Sequence, residues 1–156
     1  MPSTYTKWER EEIERAFEHY QAVALEAGQT GKWDPWCELF TLDCTYIEAQ
    51  AGAIGGREAL KRLYQNIFST FPAMHFIYSP VEWYMIDEYR GWVSCEFKNR
   101  MTDPGDGSVH EFSCFSLLKY AGDGQWSYEE DKLDPAEMEA VLTGWYAAKA
   151  RLQSAE

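Results

Sequence analysis

The apolar pattern of this chain changes period at Met74. Up to Pro72 hydrophobic residues recur at helical spacing, and from Met74 they follow the two-residue period of strands, until a last helical stretch beyond Lys132. Helices gathered ahead of a run of strands do not build a doubly wound α/β fold, in which the two alternate. They predict an α+β fold, with 1–156 as a single domain. A curved, cone-shaped antiparallel sheet would carry the helices on its concave side, leaving an apolar pocket between the layers. The predicted strands are 74–86, 91–101, 109–120 and 125–132. Short polar turns join them, Asp103-Pro104-Gly105-Asp106-Gly107 and Ala121-Gly122-Asp123-Gly124, as antiparallel hairpins require.

Local signals bound the helices. Thr6 and Glu9 have the spacing of a capping box, Ile13, Ala16, Phe17, Tyr20 and Ala24 form one apolar face, and Gly28 and Gly31 end the helix. Asp34-Pro35 reads as cap and first residue of a short helix carrying Trp36, Leu39 and Phe40. Residues 44–48 read as a short strand and 52–56 as a flexible turn. A helix with Leu60, Leu63, Tyr64 and Ile67 on its stripe then runs to the region before Pro72. Asp134-Pro135-Ala136-Glu137 opens the closing helix, with Met138, Val141, Leu142, Trp145 and Leu152 facing inward.

Seven Trp, ten Tyr and eight Phe exceed what a chain of this size ordinarily carries; the rings either fill a core and a subunit interface or line a ligand cavity. A formal charge of −12, with no Lys/Arg cluster, argues against nucleic acid and anionic membrane as partners. No basic-then-apolar leader and no stretch of membrane-spanning length stands out, so a cytoplasmic protein is expected. Cys37, Cys44, Cys95 and Cys114 are scattered among apolar residues, which suits buried free thiols rather than a metal or redox motif. The glycines near residue 55 lack the Lys-Ser/Thr of a phosphate loop, and no dinucleotide fingerprint is present. No cofactor and no metal are expected.

The element order, with Trp36-Cys37-Glu38-Leu39-Phe40-Thr41-Leu42-Asp43, Gly55-Gly56-Arg57-Glu58-Ala59-Leu60 and Tyr128-Glu129-Glu130-Asp131-Lys132-Leu133-Asp134-Pro135, resembles the NTF2-like superfamily and its SnoaL-like branch. That superfamily includes ketosteroid isomerases, limonene epoxide hydrolases, scytalone dehydratases and polyketide cyclases, alongside non-enzymatic association domains. The resemblance implies a cofactor-independent acid/base enzyme acting on a small hydrophobic or polyketide-like molecule, as isomerase, cyclase, dehydratase or hydrolase. The same scaffold also serves as a non-catalytic ligand-binding or association domain, and a homodimer is the common assembly.

Four residues are the candidate catalytic groups. Glu48 resembles in position the general base of ketosteroid isomerase-like proteins; the other reading is a rim carboxylate facing water. Asp131 resembles the catalytic Asp of limonene epoxide hydrolases, but Glu130 stands where those carry Arg, and Glu96-Phe97-Lys98-Asn99-Arg100 lacks their Arg-x-Asp pattern. Its other reading is a strand anchor to Arg100 or Lys98. On that last strand Glu129 and Asp131 share a face, and Glu130 takes the other. His75, expected at the start of a long strand, resembles the histidine of scytalone-type dehydratases, or is a satisfied core histidine. Tyr20 lies near the tyrosine that polarises a substrate oxygen in ketosteroid isomerases, and Ser116 near their second donor. Tyr46, Trp36, Phe40, Trp83, Asn99 and Ser116 are the candidate substrate-binding residues. Phe97, Phe112, Phe115 and Trp126 are candidates for an apolar outer sheet face.

Overall fold

The computed structural model describes residues 7–48 and 51–155. Helix α1 (Arg10–Thr30) begins after Glu9, with Glu11 and Glu12 in its first turn, where carboxylates meet the positive end of the helix dipole. Glu9 makes no side-chain capping bond, and Thr6 of the expected box lies outside the described residues. Gly31 ends the helix at φ +73°, its N–H returning 2.8 Å to the Ala27 carbonyl. Gly28 does not end it. It is an interior residue at which α1 passes so close to a strand that an added Cβ would sit 2.7 Å from the Ile77 carbonyl oxygen.

Helix α2 (Asp34–Cys37) is shorter than expected, because Phe40 already belongs to β1 (Phe40–Glu48). The Gly-rich segment taken for a turn is a strand, β2 (Gly52–Gly55), paired antiparallel to β1 with Glu48 opposite Gly52. Helix α3 (Arg57–Phe68) follows, its Arg57 guanidinium donating to the Phe40 carbonyl and tying the helix start to β1. The long strand expected from Met74 is broken in two. A 3-10 turn holds Ala73–His75, then β3 (Phe76–Tyr78) and β4 (Val81–Asp87) flank Ser79-Pro80, and both pair with β5 (Trp92–Met101). Proline lacks the N–H that a continuous ladder would need.

Strands β6 (Glu111–Gly122) and β7 (Gln125–Leu133) complete the predicted hairpins. Helix α4 (Pro135–Gln153) opens as read from the sequence, with Asp134 accepting from the Ala136 N–H at 2.9 Å. The sheet runs β2-β1-β7-β6-β5-β3, with β4 also on β5. It is mixed rather than wholly antiparallel, since β1 and β7 pair in parallel. The fold is therefore α+β, with helices flanking a mixed, mostly antiparallel sheet. Among the described residues no helix is long and apolar enough to cross a membrane.

The core joins α1 and α2 to the sheet through rings. Phe17, Trp36, Phe40 and Trp126 are fully buried, with Trp36 4.8 Å from Phe40 and Phe17 6.3 Å from Trp126. A register shift in β7 beside Tyr120 lets both Trp126 and Glu129, three residues apart, be buried on the inner face.

Candidate active site

The inner faces of β1, β5, β6 and β7 meet α1, α3 and α4 around a cavity of about 400 Å³. That lies at the small end of ligand-site volumes. Rings dominate its wall. Trp33 stacks on Phe68 at 4.2 Å and Trp36 lies 4.5 Å from Tyr64. Among the described residues no Lys, Arg or His lines it, whereas Glu48, Glu129 and Asp131 do.

Two of these carboxyl groups are deeply buried, Glu129 at 1% exposure and Asp131 at 7%. They come from one face of β7, Asp131 opposite Ser116 and Glu129 opposite Leu118 in the β6–β7 register. Asp131 accepts two hydroxyl protons, from Tyr46 at Oδ2 (2.5 Å) and from Ser116 at Oδ1. Since the single Tyr46 proton goes to Asp131, the 2.6 Å contact between the Tyr46 and Tyr64 oxygens makes Tyr64 the donor there. The result is a relay from Tyr64 through Tyr46 to Asp131. Glu129 accepts only from Tyr20, at Oε1 (2.8 Å), and no donor among the described residues reaches its buried Oε2.

Burial raises the proton affinity of both acids, and the Asp131 charge raises that of Glu129 further, whereas a hydrogen bond from Glu129 lowers that of Asp131. For Glu129 desolvation leads and the Asp131 charge follows, holding its pKa well above the ordinary glutamate value. For Asp131 burial again leads and raises the pKa, but the Ser116 and Tyr46 hydroxyls oppose it by stabilising the carboxylate. Of the two, Glu129 holds a proton more strongly and bonds through it to Asp131, which ionises more readily. Two carboxyl groups whose surroundings push them apart in this way divide into an acid and a base. Burial also drives the hydroxyls of Tyr20, Tyr46 and Tyr64 well above the usual phenol range, so they act as neutral donors.

The residues expected from sequence separate into three groups. Tyr20, Tyr46, Asp131, Trp36 and Asn99 line the cavity, and Ser116 supports it by holding Asp131. Glu48 also lines it, though only partly buried, and its Oε2 accepts the Ala51 N–H at 2.7 Å. Phe40, His75 and Trp83 are not on the wall. Phe40 is sealed in the core behind Trp36. His75 sits in the 3-10 turn rather than a strand, its ring 4.9 Å from Trp145 of α4. Trp83 is exposed on the outer sheet face, donating to Glu96 at 2.8 Å. The alternative partners of Asp131 lie on that face as well. Lys98 pairs with Glu96 and Arg100 with Glu111, so neither anchors it. Of the rings expected outside, only Phe115 is exposed; Phe97 and Phe112 line the cavity, and Trp126 is buried.

Sequence reasoning placed Glu129 beside Asp131 but gave it no role, and read Tyr64 only as helix stripe. For Glu129 the available signal was the two-residue spacing of carboxylates on an otherwise apolar inner face. For Tyr64 only the fold brings its hydroxyl to β1.

An α+β fold whose mixed sheet and flanking helices line a ring-walled acidic cavity marks a protein of NTF2-like fold. More narrowly, the chain belongs to the SnoaL-like domain family, which matches residues 12–129. Among solved structures it resembles an LEH-like epoxide hydrolase from M. tuberculosis (TM-score 0.64, 16% identity, covering 91% of this chain and 92% of that one). It also resembles an NTF2-like protein from Anabaena variabilis ATCC 29413 (TM-score 0.63, 14% identity, 81% and 92%). A de novo designed protein with a curved β-sheet matches as well (TM-score 0.59, 14% identity, 90% and 99%). Among curated proteins none matches the sequence. A likeness shared with a designed protein is one of fold, and function must be argued from the site.

Proposed function

We propose that this chain is an enzyme that moves protons on a small apolar molecule, by isomerisation, cyclisation, dehydration or addition of water. The observation that carries this reading is the Glu129–Asp131 pair, buried side by side in a ring-lined cavity with no cationic side chain on its wall among the described residues. Asp131 acts as base, withdrawing a proton from the substrate. Glu129 acts as acid, delivering one to a developing oxyanion or to a departing hydroxyl. Each turnover takes one proton in and gives one out, so these groups need no cofactor for the step. Tyr46 and Ser116 hold the Asp131 carboxylate, Tyr64 backs Tyr46, and Tyr20 orients Glu129.

Absence of a positive partner disfavours epoxide opening by an Asp-Arg-Asp arrangement. The hydrolase likeness supports the reading at the level of scaffold only. Glu48, partly buried and bonded to the Ala51 backbone, is assigned to the cavity mouth. Strand irregularities at β1/β7, β4/β5 and β6/β7 support a sheet curled around the cavity as a cone.

The test is turnover of neutral and basic ketones, enones, epoxides and hydroxylated ring compounds by wild type, Asp131→Asn and Glu129→Gln. Turnover by wild type that collapses in D131N with binding retained supports the assignment. Ligand binding with no turnover of any member would move the chain to the non-catalytic binding class.

A further inference from the structure

The charge inventory of the cavity is one-sided. Among the described residues Glu48, Glu129 and Asp131 line it, without any Lys, Arg or His. The nearby basic residues of β5, Lys98 and Arg100, form ion pairs with Glu96 and Glu111 and do not line the cavity. Other titratable side chains on the wall are Tyr20, Tyr46 and Tyr64, with Cys95 and Cys114 on the neighbouring strands. Burial raises the pKa of each, so none supplies positive charge. Low-dielectric walls concentrate the field of the carboxyl groups inside.

A second observation is independent of the charge count. Glu129 Oε2 is buried and no donor among the described residues reaches it. Once the Glu129 proton leaves, Oε2 is a buried acceptor that is costly without a donor, and the ligand is one source of that donor. The adjoining rings, Trp33, Trp36, Tyr64 and Phe68, offer apolar area, and a ring face attracts a cation.

We propose that the ligand of this cavity is an apolar amine bound in its protonated form, its N–H seated on the Glu129–Asp131 pair. The inference rests on the pair being the functional site, as read above, and names its ligand class. An alkylammonium, with a pKa near that of lysine at about 10.4, arrives charged at neutral pH. Its N–H then takes the place of the proton that the two acids hold between them, and that proton leaves to solvent. Both carboxyl groups are ionised only when the amine is present, and the ammonium N–H then stands in for the Glu129 proton as the acid facing the Asp131 base.

The experiment is titration calorimetry of wild type at neutral pH with three probes: N,N-dimethylbenzylamine, its neutral isostere isobutylbenzene, and the anion phenylacetate. Each is run in phosphate and in HEPES, whose ionisation enthalpies differ. The amine should bind at least tenfold more tightly than isobutylbenzene, phenylacetate should not bind, and the apparent enthalpy of amine binding should differ between buffers through the released proton. In Glu129→Gln the buffer dependence should vanish. Equal or tighter binding of isobutylbenzene, buffer-independent enthalpy in wild type, or saturable binding of none of the probes overturns the proposal, and none of these needs a variant. Turnover is not part of the readout. A protein that prefers the amine but catalyses nothing refutes the enzymatic reading alone; one that turns over neutral substrates without charge preference refutes this inference alone.

Discussion

Asp131 and Glu129 differ in what surrounds them, and that difference makes distinct predictions for each. Two hydroxyls donate to Asp131 and favour its carboxylate form, so Asp131→Asn removes the base while keeping shape. Turnover should fall by about 10²–10⁴-fold, the usual contribution of a positioned proton-transfer group, with ligand affinity changed far less. Glu48→Gln should cost far less than D131N on the same scale; a larger loss than in D131N would exchange the two roles. Glu129 is tested through stability. An acid whose native pKa lies above its unfolded value adds stability that is complete below about pH 4.3 and is lost as pH rises through the native value. Wild type should therefore lose stability relative to Glu129→Gln across that rise, by about 1.4 kcal/mol for each tenfold in proton affinity. His75, whose pKa burial lowers, contributes with the opposite sign in both proteins, so the difference between their thermal midpoints isolates Glu129. A pH-independent difference would contradict the assignment.

At the scale of elements, two substitutions separate local propensity from packing. Gly28→Ala improves helix propensity by about 1 kcal/mol in isolation. Here the new Cβ would lie 2.7 Å from the Ile77 carbonyl oxygen, a backbone atom that yields only if β3 moves away from α1. Overpacking of this kind costs about 1–3 kcal/mol, so the urea midpoint should fall rather than rise. Asp134→Ala should cost about 1 kcal/mol by freeing the Ala136 N–H. The contrast explains what was legible beforehand. Asp134-Pro135 and the Gly-rich hairpins could be read because their chemistry is local. The role of Gly28 could not, because it depends on a strand some fifty residues away. Strand β2 escaped because Gly-Ala-Ile-Gly has too few side chains to show a period, and its pairing is written in the backbone of β1. His75 was misplaced because the strand pattern runs through Met74-His75-Phe76, while the chain turns there and lays the imidazole on α4. The β7 carboxylates were legible as neighbours on one face. That both are buried beside three tyrosines drawn from α1, β1 and α3 is a property of the assembled layers.

For the molecule as a whole, the outer face of the sheet is the unfinished surface. Trp83 and Phe115 lie 6.3 Å apart on it, and Phe115 remains 50% exposed. Exposed rings at a sheet surface are what a second subunit would cover. A homodimer is expected, with sedimentation equilibrium at micromolar protein giving twice 18.1 kDa and Phe115→Glu shifting it toward the monomer. A wild-type mass of 18.1 kDa would leave the face without that explanation. The central claim, however, is that the fold brings two carboxyl groups together in an apolar cavity so that one proton serves both. Carbon-13 NMR titration of the side-chain carboxyls, with Glu129→Gln and Asp131→Asn used to assign the signals, measures this directly. The account predicts a Glu129 carboxyl that stays protonated well above pH 4.3, the ordinary glutamate value, beside an Asp131 that ionises first, with loss of the Asp131 charge lowering the pKa of Glu129. Independent titration of both groups in the ordinary carboxylate range would contradict it.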